Sequence, residues 1–378
     1  MAFDSNVKIG VLGGGQLGRM MIQSAIDFNL DIHVLDPDPN APCKDISTSF
    51  TVGALSDYET VMAFGSDKDM LTIEIENVNT QALKNLEKLG KKVFPQPHII
   101  ELIQNKLNQK KFYAKHGIPT AEFFEVANAE EVKAHKDFLP FVNKLATGGY
   151  DGRGVQIIRN EEAMEKAFDA PGFVEQMVDF EKELAVIVAR NEAGEMRTFP
   201  TVEMVFHPEH NLVEYLFSPA EIDSDIEQEA QNLAKKVIEK LDMVGLLAIE
   251  MFLTKDGQLL VNEAAPRTHN SGHQTIEGNV TSQFEQHLRA ILNWPLGDTS
   301  TLWPSAMVNL LGEDGYSGEA KYEGMQEVLS QGGVHIHLYG KKLTKPFRKM
   351  GHITVSDQDM NQLREKVNFV KSTLKVKA

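Results

Sequence analysis

Thr147-Gly148-Gly149-Tyr150-Asp151-Gly152-Arg153-Gly154, with Lys144 just before it, is read together with a downstream pair of apolar runs. These are Leu246-Leu247-Ala248-Ile249-Glu250-Met251-Phe252-Leu253 and Leu259-Leu260-Val261-Asn262-Glu263. Two apolar runs of strand length around Lys255-Asp256-Gly257 predict a β-hairpin. Each strand carries an acid at a corresponding place, and an unpaired carboxylate in an apolar run is costly. Glu250 and Glu263 therefore read as ligands, hard oxygens that with the Asn262 amide suit magnesium on a triphosphate. In the first stretch, glycines let backbone amides turn towards phosphate oxygens, and Lys144 adds a point charge. A plain surface hairpin would explain neither the glycine density nor the matched acids. The pair predicts nucleotide-triphosphate chemistry.

Upstream, strand and helix patterns alternate. Residues 7–12 and 31–35 read as strands, 17–28 as a helix, 58–64 and 80–89 as helices around a strand at 70–75. That order predicts a parallel, doubly wound sheet. Residues 98–116 read as one long polar helix, stopped by Gly117-Ile118-Pro119. Gly13-Gly14-Gly15-Gln16-Leu17-Gly18 fits the dinucleotide fingerprint, with Asp36 where a ribose-binding acid would stand. Alone it leaves three readings open: a dinucleotide site, a tight strand-to-helix turn, or a different phosphate held at the helix N-terminus.

Past residue 123 the pattern changes to an open lid of strands with one helix over 161–168. Strand-like segments follow at 173–176, 183–189 and 197–205, then a helix over 228–241 whose apolar stripe is core packing. After Trp294-Pro295, residues 305–311 and 334–339 suggest a small strand-rich terminal module. His269 and His273 are too loosely placed for zinc. His335 and His337 read as an ordinary, partly exposed strand face. The basic run Lys341-Lys342, Lys345, Arg348-Lys349 reads as either a solvated edge or, the favoured reading, the cation cluster a phosphorylated substrate would need.

Composition limits the rest. The 378 residues allow two or three domains, and 42% apolar with 24% charged residues is the balance of a soluble globular protein. A net charge of −16 argues against nucleic-acid or anionic-membrane partners, and forces any anionic substrate onto a local cation cluster. Cys43 is the only cysteine, so no internal disulfide forms and the cytoplasm is expected.

At this point the chain resembles the ATP-grasp enzymes, and among them the 5-(carboxyamino)imidazole ribonucleotide synthases of purine biosynthesis, over nearly its whole length. The marks are Gly13-Gly14-Gly15-Gln16-Leu17-Gly18-Arg19-Met20, Glu74-Ile75-Glu76-Asn77, the glycine loop, Asn262-Glu263-Ala264-Ala265-Pro266-Arg267, His269-Asn270-Ser271-Gly272-His273 and Arg348-Lys349-Met350-Gly351-His352. The resemblance implies an α/β and α+β chain: an N-terminal doubly wound unit (1–103), an ATP-grasp unit (104–295) with a mobile lid at about 118–172, and a C-terminal module (296–378).

It also implies roles. Lys106 and Lys144 would contact ATP phosphates under a loop of Gly149, Tyr150, Asp151, Gly152, Arg153, Gly154 and Val155. Glu175, Gln176, Met177 and Val178 would be the strand that binds adenine, and Glu183 would hold the ribose. Phe206, with His207 beside it, stands where relatives place a nucleotide-contacting histidine. Glu250 and Glu263 would bind Mg2+, beside Asn262. Gly15, Gln16, Leu17, Glu76, Asn270, His273, Lys341 and Arg348 would hold aminoimidazole ribonucleotide. Lys144, Tyr150, Asp151, Arg153 and Arg267 would assist the chemistry, in which ATP and bicarbonate carboxylate the ribonucleotide. A homodimer is expected. The rival within the superfamily is a formate-using transformylase.

Overall fold

The structure, a computed structural model, describes residues 6–149, 154–206 and 213–378. Tyr150, Asp151, Gly152, Arg153 and His207 lie outside the described residues. The N-terminal unit is a parallel sheet of Lys8–Leu12 (β1), Asp31–Asp36 (β2), Ser49–Val52 (β3), Met70–Ile73 (β4) and Lys92–Val93 (β5), in the order β3-β2-β1-β4-β5. Ile9, Val11, Val34 and Leu71 are buried on it, as a sheet covered on both faces requires. Chain order reverses between β1 and β4, so the crevice beyond their C-terminal ends is the place for a ligand. Gly13, Gly14, Gly15 and Glu74 follow those two strands directly.

The single helix expected over 98–116 is two helices, Pro97–Ile103 and Lys106–Lys115. The Asn105 side chain accepts from the Asn108 amide at 3.0 Å and starts the second helix. That break puts Lys106 at a helix start, its own N–H bonded to Ala146 O at 2.8 Å.

Next comes an antiparallel sheet ordered Phe123–Val126, Gly172–Gln176, Phe141–Leu145, Val155–Ile158. Its small core is Val126, Val132, Phe141, Ile158, Met164 and Val174. The helix expected at 161–168 is only a 3₁₀ turn, Glu162–Lys166.

The largest sheet runs Leu259–Ala265, Gly245–Thr254, Phe180–Arg190, Val202–Phe206, Val213–Ser218, Ser305–Leu311, Lys349–Ser356, Val334–Leu338. The strand expected at 197–205 is split into Met196–Thr198 and Val202–Phe206 by Phe199-Pro200-Thr201, where proline cannot donate to a ladder. Helix Ser224–Leu241 lays Ala230, Leu233, Ala234, Val237, Ile238 and Leu241 on this sheet. Each large side chain so buried is worth at most about 1.5–3 kcal/mol. The terminal module is not a separate sheet. Its strands pair onto Val213–Ser218, which would otherwise leave an open edge, and helix Met360–Thr373 covers them.

Candidate active site

The hairpin forms as expected, and Glu250 faces Glu263 in register. The ladder slips between Glu250 and Met251, whose partners are Glu263 and Val261, so Asn262 is the extra residue of a β-bulge. The bulge re-aims both neighbours. Glu263 forms an ion pair with Lys106, and the Asn262 Oδ1 accepts from Lys144 Nζ at 3.1 Å. Lys144 also meets Glu175 at 2.6 Å, and Glu175 carries a second, fully buried partner, Lys110. Leaving Glu175 or Lys110, the two fully buried charges, unpaired would cost about 3–5 kcal/mol.

The two facing acids are driven apart electrostatically. Burial, then the neighbouring carboxylates Glu263 and Glu183, push Glu250 upward. Burial also disfavours charge on Glu263, but Lys106, then Lys144, overcome it and hold its carboxyl low. Glu183, on the strand beside Glu250, is pushed up to about 7 by burial, against the attraction of Lys144. His269 Nε2 lies 3.6 Å from Glu250. Burial, then Arg267 and Lys349, pull His269 down to about 3, so it is neutral and the contact is not an ion pair. Among the described residues no group of three or more His, Cys, Asp or Glu could hold a metal alone. Two facing carboxylates and an amide oxygen could instead hold magnesium together with phosphate oxygens.

The N-terminal glycine turn is filled from within the chain. Asp36 Oδ2 accepts the Gly14 N–H at 2.7 Å, and Glu74 Oε1 accepts the Leu17 N–H at 3.1 Å. A Cβ on Gly15 would meet Glu74 Oε1 at 2.4 Å, so glycine is needed for this carboxylate to approach. Desolvation pushes Glu74 up to about 7, with Arg267 pulling the other way. Asp36 is thus engaged with the turn itself, which disfavours the dinucleotide reading. Lys341 Nζ bonds Gln16 Oε1 at 3.1 Å and Lys349 O at 2.7 Å, joining the basic run to the glycine turn. Arg348 donates to Leu343 O at 2.7 Å. Arg267 pairs with Glu76 at 2.9 Å, tying the polar loop to the same crevice.

The remaining expected residues fall as follows. Gly149, Gly154 and Val155 border the undescribed loop, and Gly154 sits at φ +73°, a left-handed backbone suited to glycine. Gln176 ends a strand of the four-stranded sheet, and Met177 and Val178 lead on to Phe180–Arg190, so that sheet joins the large one there. The Met177 N–H bonds Pro140 O at 3.4 Å. Phe206, half-buried, pairs with Val213. Asn270 opens the turn Asn270–Gly272. His273 is buried, its ring 4.7 Å from that of His352, so it lies beneath the loop rather than in its open face. His337 is not the ordinary strand face expected: it stacks on His352 at 4.4 Å and bonds Glu277 at 2.8 Å. Reading the sequence missed Lys110 altogether, and placed Glu74 and His269 in motifs without giving them a role in this site. Lys110 follows Lys106 at i+4 on one helix face, a signal that was available.

Residues 6–104 match the ribonucleotide synthetase preATP-grasp domain family, 111–284 the ATP-grasp domain family and 305–366 the phosphoribosylaminoimidazole carboxylase C-terminal domain family. The N5-carboxyaminoimidazole ribonucleotide synthase of Bacillus subtilis is 40% identical over 357 residues, covering 93% of this chain and 91% of that one. The structure of N5-carboxyaminoimidazole ribonucleotide synthetase from Thermotoga maritima is 44% identical, with a TM-score of 0.92 and coverage of 98% and 99%. The N5-carboxyaminoimidazole synthase of Aspergillus clavatus, solved with ADP and 5-aminoimidazole ribonucleotide, is 36% identical, with a TM-score of 0.87 and coverage of 97% and 98%. With its acidic hairpin, lysine cluster and three matched domains, the chain belongs to the N5-carboxyaminoimidazole ribonucleotide synthase family of ATP-dependent ligases.

Proposed function

We propose that this chain carboxylates 5-aminoimidazole ribonucleotide with bicarbonate at the expense of ATP, releasing ADP and phosphate, through carboxyphosphate, in purine biosynthesis. Support for this reading comes from a run of contacts leading from Glu250, which lies 3.6 Å from His269 and in the field of Lys349, to Lys341, which bonds the Lys349 carbonyl. The nucleotide end of that run holds Glu250, Glu263, Asn262, Lys106 and Lys144, and its other end holds Gln16 and Lys341.

Bicarbonate is a poor electrophile, and phosphorylating it yields an anhydride that can deliver carbon dioxide beside the amine. Such a transfer needs positioning and charge rather than a covalent enzyme nucleophile. Lys106 and Lys144 bind the phosphate oxygens and Glu183 the ribose. The strand end at Glu175, Gln176, Met177 and Val178 takes the adenine, with Phe206 near it. Glu250 and Glu263 would hold Mg2+, which when bound neutralises charge on the triphosphate. Arg267, held by Glu76, meets the bicarbonate-derived anion, while Tyr150, Asp151 and Arg153 close over it and exclude water. Gly15, Gln16, Leu17, Asn270, Lys341 and Arg348 hold the ribonucleotide, and His273 supports that loop from below. The working division is a nucleotide-sugar unit (1–103), an ATP unit (104–295) and a closing module (296–378).

Two tests follow from the ends of the site. Burial, then Arg348, pull Lys341 down to about 8. Its amine is charged below that pH and neutral above it, so a phosphate loses its cation as pH rises. kcat/KM for the ribonucleotide, which reports the free enzyme, is expected to fall as pH passes about 8. Lys341→Arg should flatten that fall, and an unchanged profile would remove Lys341 from the phosphate site. Conversely, NADH should show no saturable fluorescence change on titration, since Asp36 is engaged with Gly14. Saturation at micromolar levels would reopen the dinucleotide reading.

A homodimer in the cytoplasm completes the proposal. Exposed Val280, Leu302 and Trp303 suit a contact between copies, and light scattering gives the mass.

A further inference from the structure

Glu175 presents a puzzle that nucleotide binding alone does not resolve. Its side chain is buried on lid strand Gly172–Gln176 and touches the lysine that must serve phosphate. A lone Glu175–Lys144 pair would be neutral, and a phosphate would have to compete with the carboxylate for the same ammonium. The structure supplies a second cation. Lys110, one turn past Lys106 on helix Lys106–Lys115, is buried and pairs with the other oxygen of Glu175. Its Nζ also donates to Thr120 Oγ1 at 2.5 Å and lies 3.5 Å from Val261 O, so it is fixed from three directions. Burial pulls Lys110 down to about 8, while Glu175, though disfavoured by burial, is held low by Lys144 and Lys110. One carboxylate is thus shared by two cations, and the trio keeps a net positive charge. That charge is available only at Lys144, whose side chain is 12% exposed against 3% for Lys110.

We propose that Lys110 is a positioning residue: by neutralising Glu175 it frees the charge of Lys144 for the ATP phosphates while Glu175 still aims that side chain. This rests on the reading of Lys144 as a phosphate ligand. Because Glu175 is on the lid and Lys110 on the body of the ATP unit, the same contact holds the lid lysine against the site.

The test is a set of single and double variants read in KM for ATP, KM for the ribonucleotide, kcat and melting temperature. Lys110→Met should raise KM for ATP roughly tenfold, the scale of coupling between contacting charges. KM for the ribonucleotide should hardly move. In a Glu175→Gln background there is no carboxylate to neutralise, so Lys110→Met should then leave KM for ATP within about threefold, as expected for a residue acting only through that partner. If Lys110→Met alone does not fold, Lys110→Gln, which keeps a polar group against Glu175, takes its place in both backgrounds with the same expected outcomes. An equal rise in KM for ATP in both backgrounds, or no rise in either, would overturn the inference. Lys144→Met separates the two readings. If it leaves KM for ATP unchanged, the phosphate role of Lys144 is wrong. If it raises KM while Lys110→Met does not, only the role of Lys110 is wrong.

Discussion

Glu263→Gln is expected to lower kcat roughly a hundred- to a thousandfold, the scale of losing one preorganised contact to developing charge, while the fold survives. The substitution keeps the shape of the side chain on the bulged strand but removes its charge, and with it half of the facing carboxylate pair. It also takes from Lys106 its ion-pair partner. Glu263 is the acid of the pair kept ionised by Lys106 and Lys144, whereas burial drives Glu250 towards its neutral form. Circular dichroism and the melting curve should stay close to wild type. ADP production near the normal rate at ordinary magnesium would reject the role of Glu263.

Arg348→Ala is expected to raise KM for the ribonucleotide by roughly one to two decades, taking a charge-assisted contact as about 1.5–3 kcal/mol. A chain at −16 repels a phosphorylated substrate, so its binding energy must come from the few focused cations. Arg348 lies near Lys341, which reaches the glycine turn through Gln16. KM for ATP should move little, since the lysines of the nucleotide end are separate residues. If both constants rise together, or neither does, the basic run is not the substrate's phosphate site.

The acidic hairpin was legible because each acid interrupts an apolar run at a matching place, and register makes them face. The bulge that turns out Asn262 was not, since a one-residue slip leaves no local pattern. The break at Asn105 was missed because the polar stretch runs straight through it, although asparagine is a common helix cap. Proline at 200 was a visible breaker in the strand expected at 197–205. That the strand-rich terminal module extends the large sheet was not legible, because pairing of Val213–Ser218 with Ser305–Leu311 is a long-range event. The same reason hid the stack of His273, His352 and His337, drawn from three separate segments. Glu74 was quoted in a motif, yet its place against Leu17 depends on the closeness of β1 and β4.

ADP release, followed with ATP present and bicarbonate or 5-aminoimidazole ribonucleotide omitted in turn, decides whether this chain couples ATP cleavage to carboxylation of the ribonucleotide. Full release is expected only when both are present, and a small residual otherwise, with formate unable to replace bicarbonate. Release at the full rate without bicarbonate, or sustained equally by formate, would contradict that coupling.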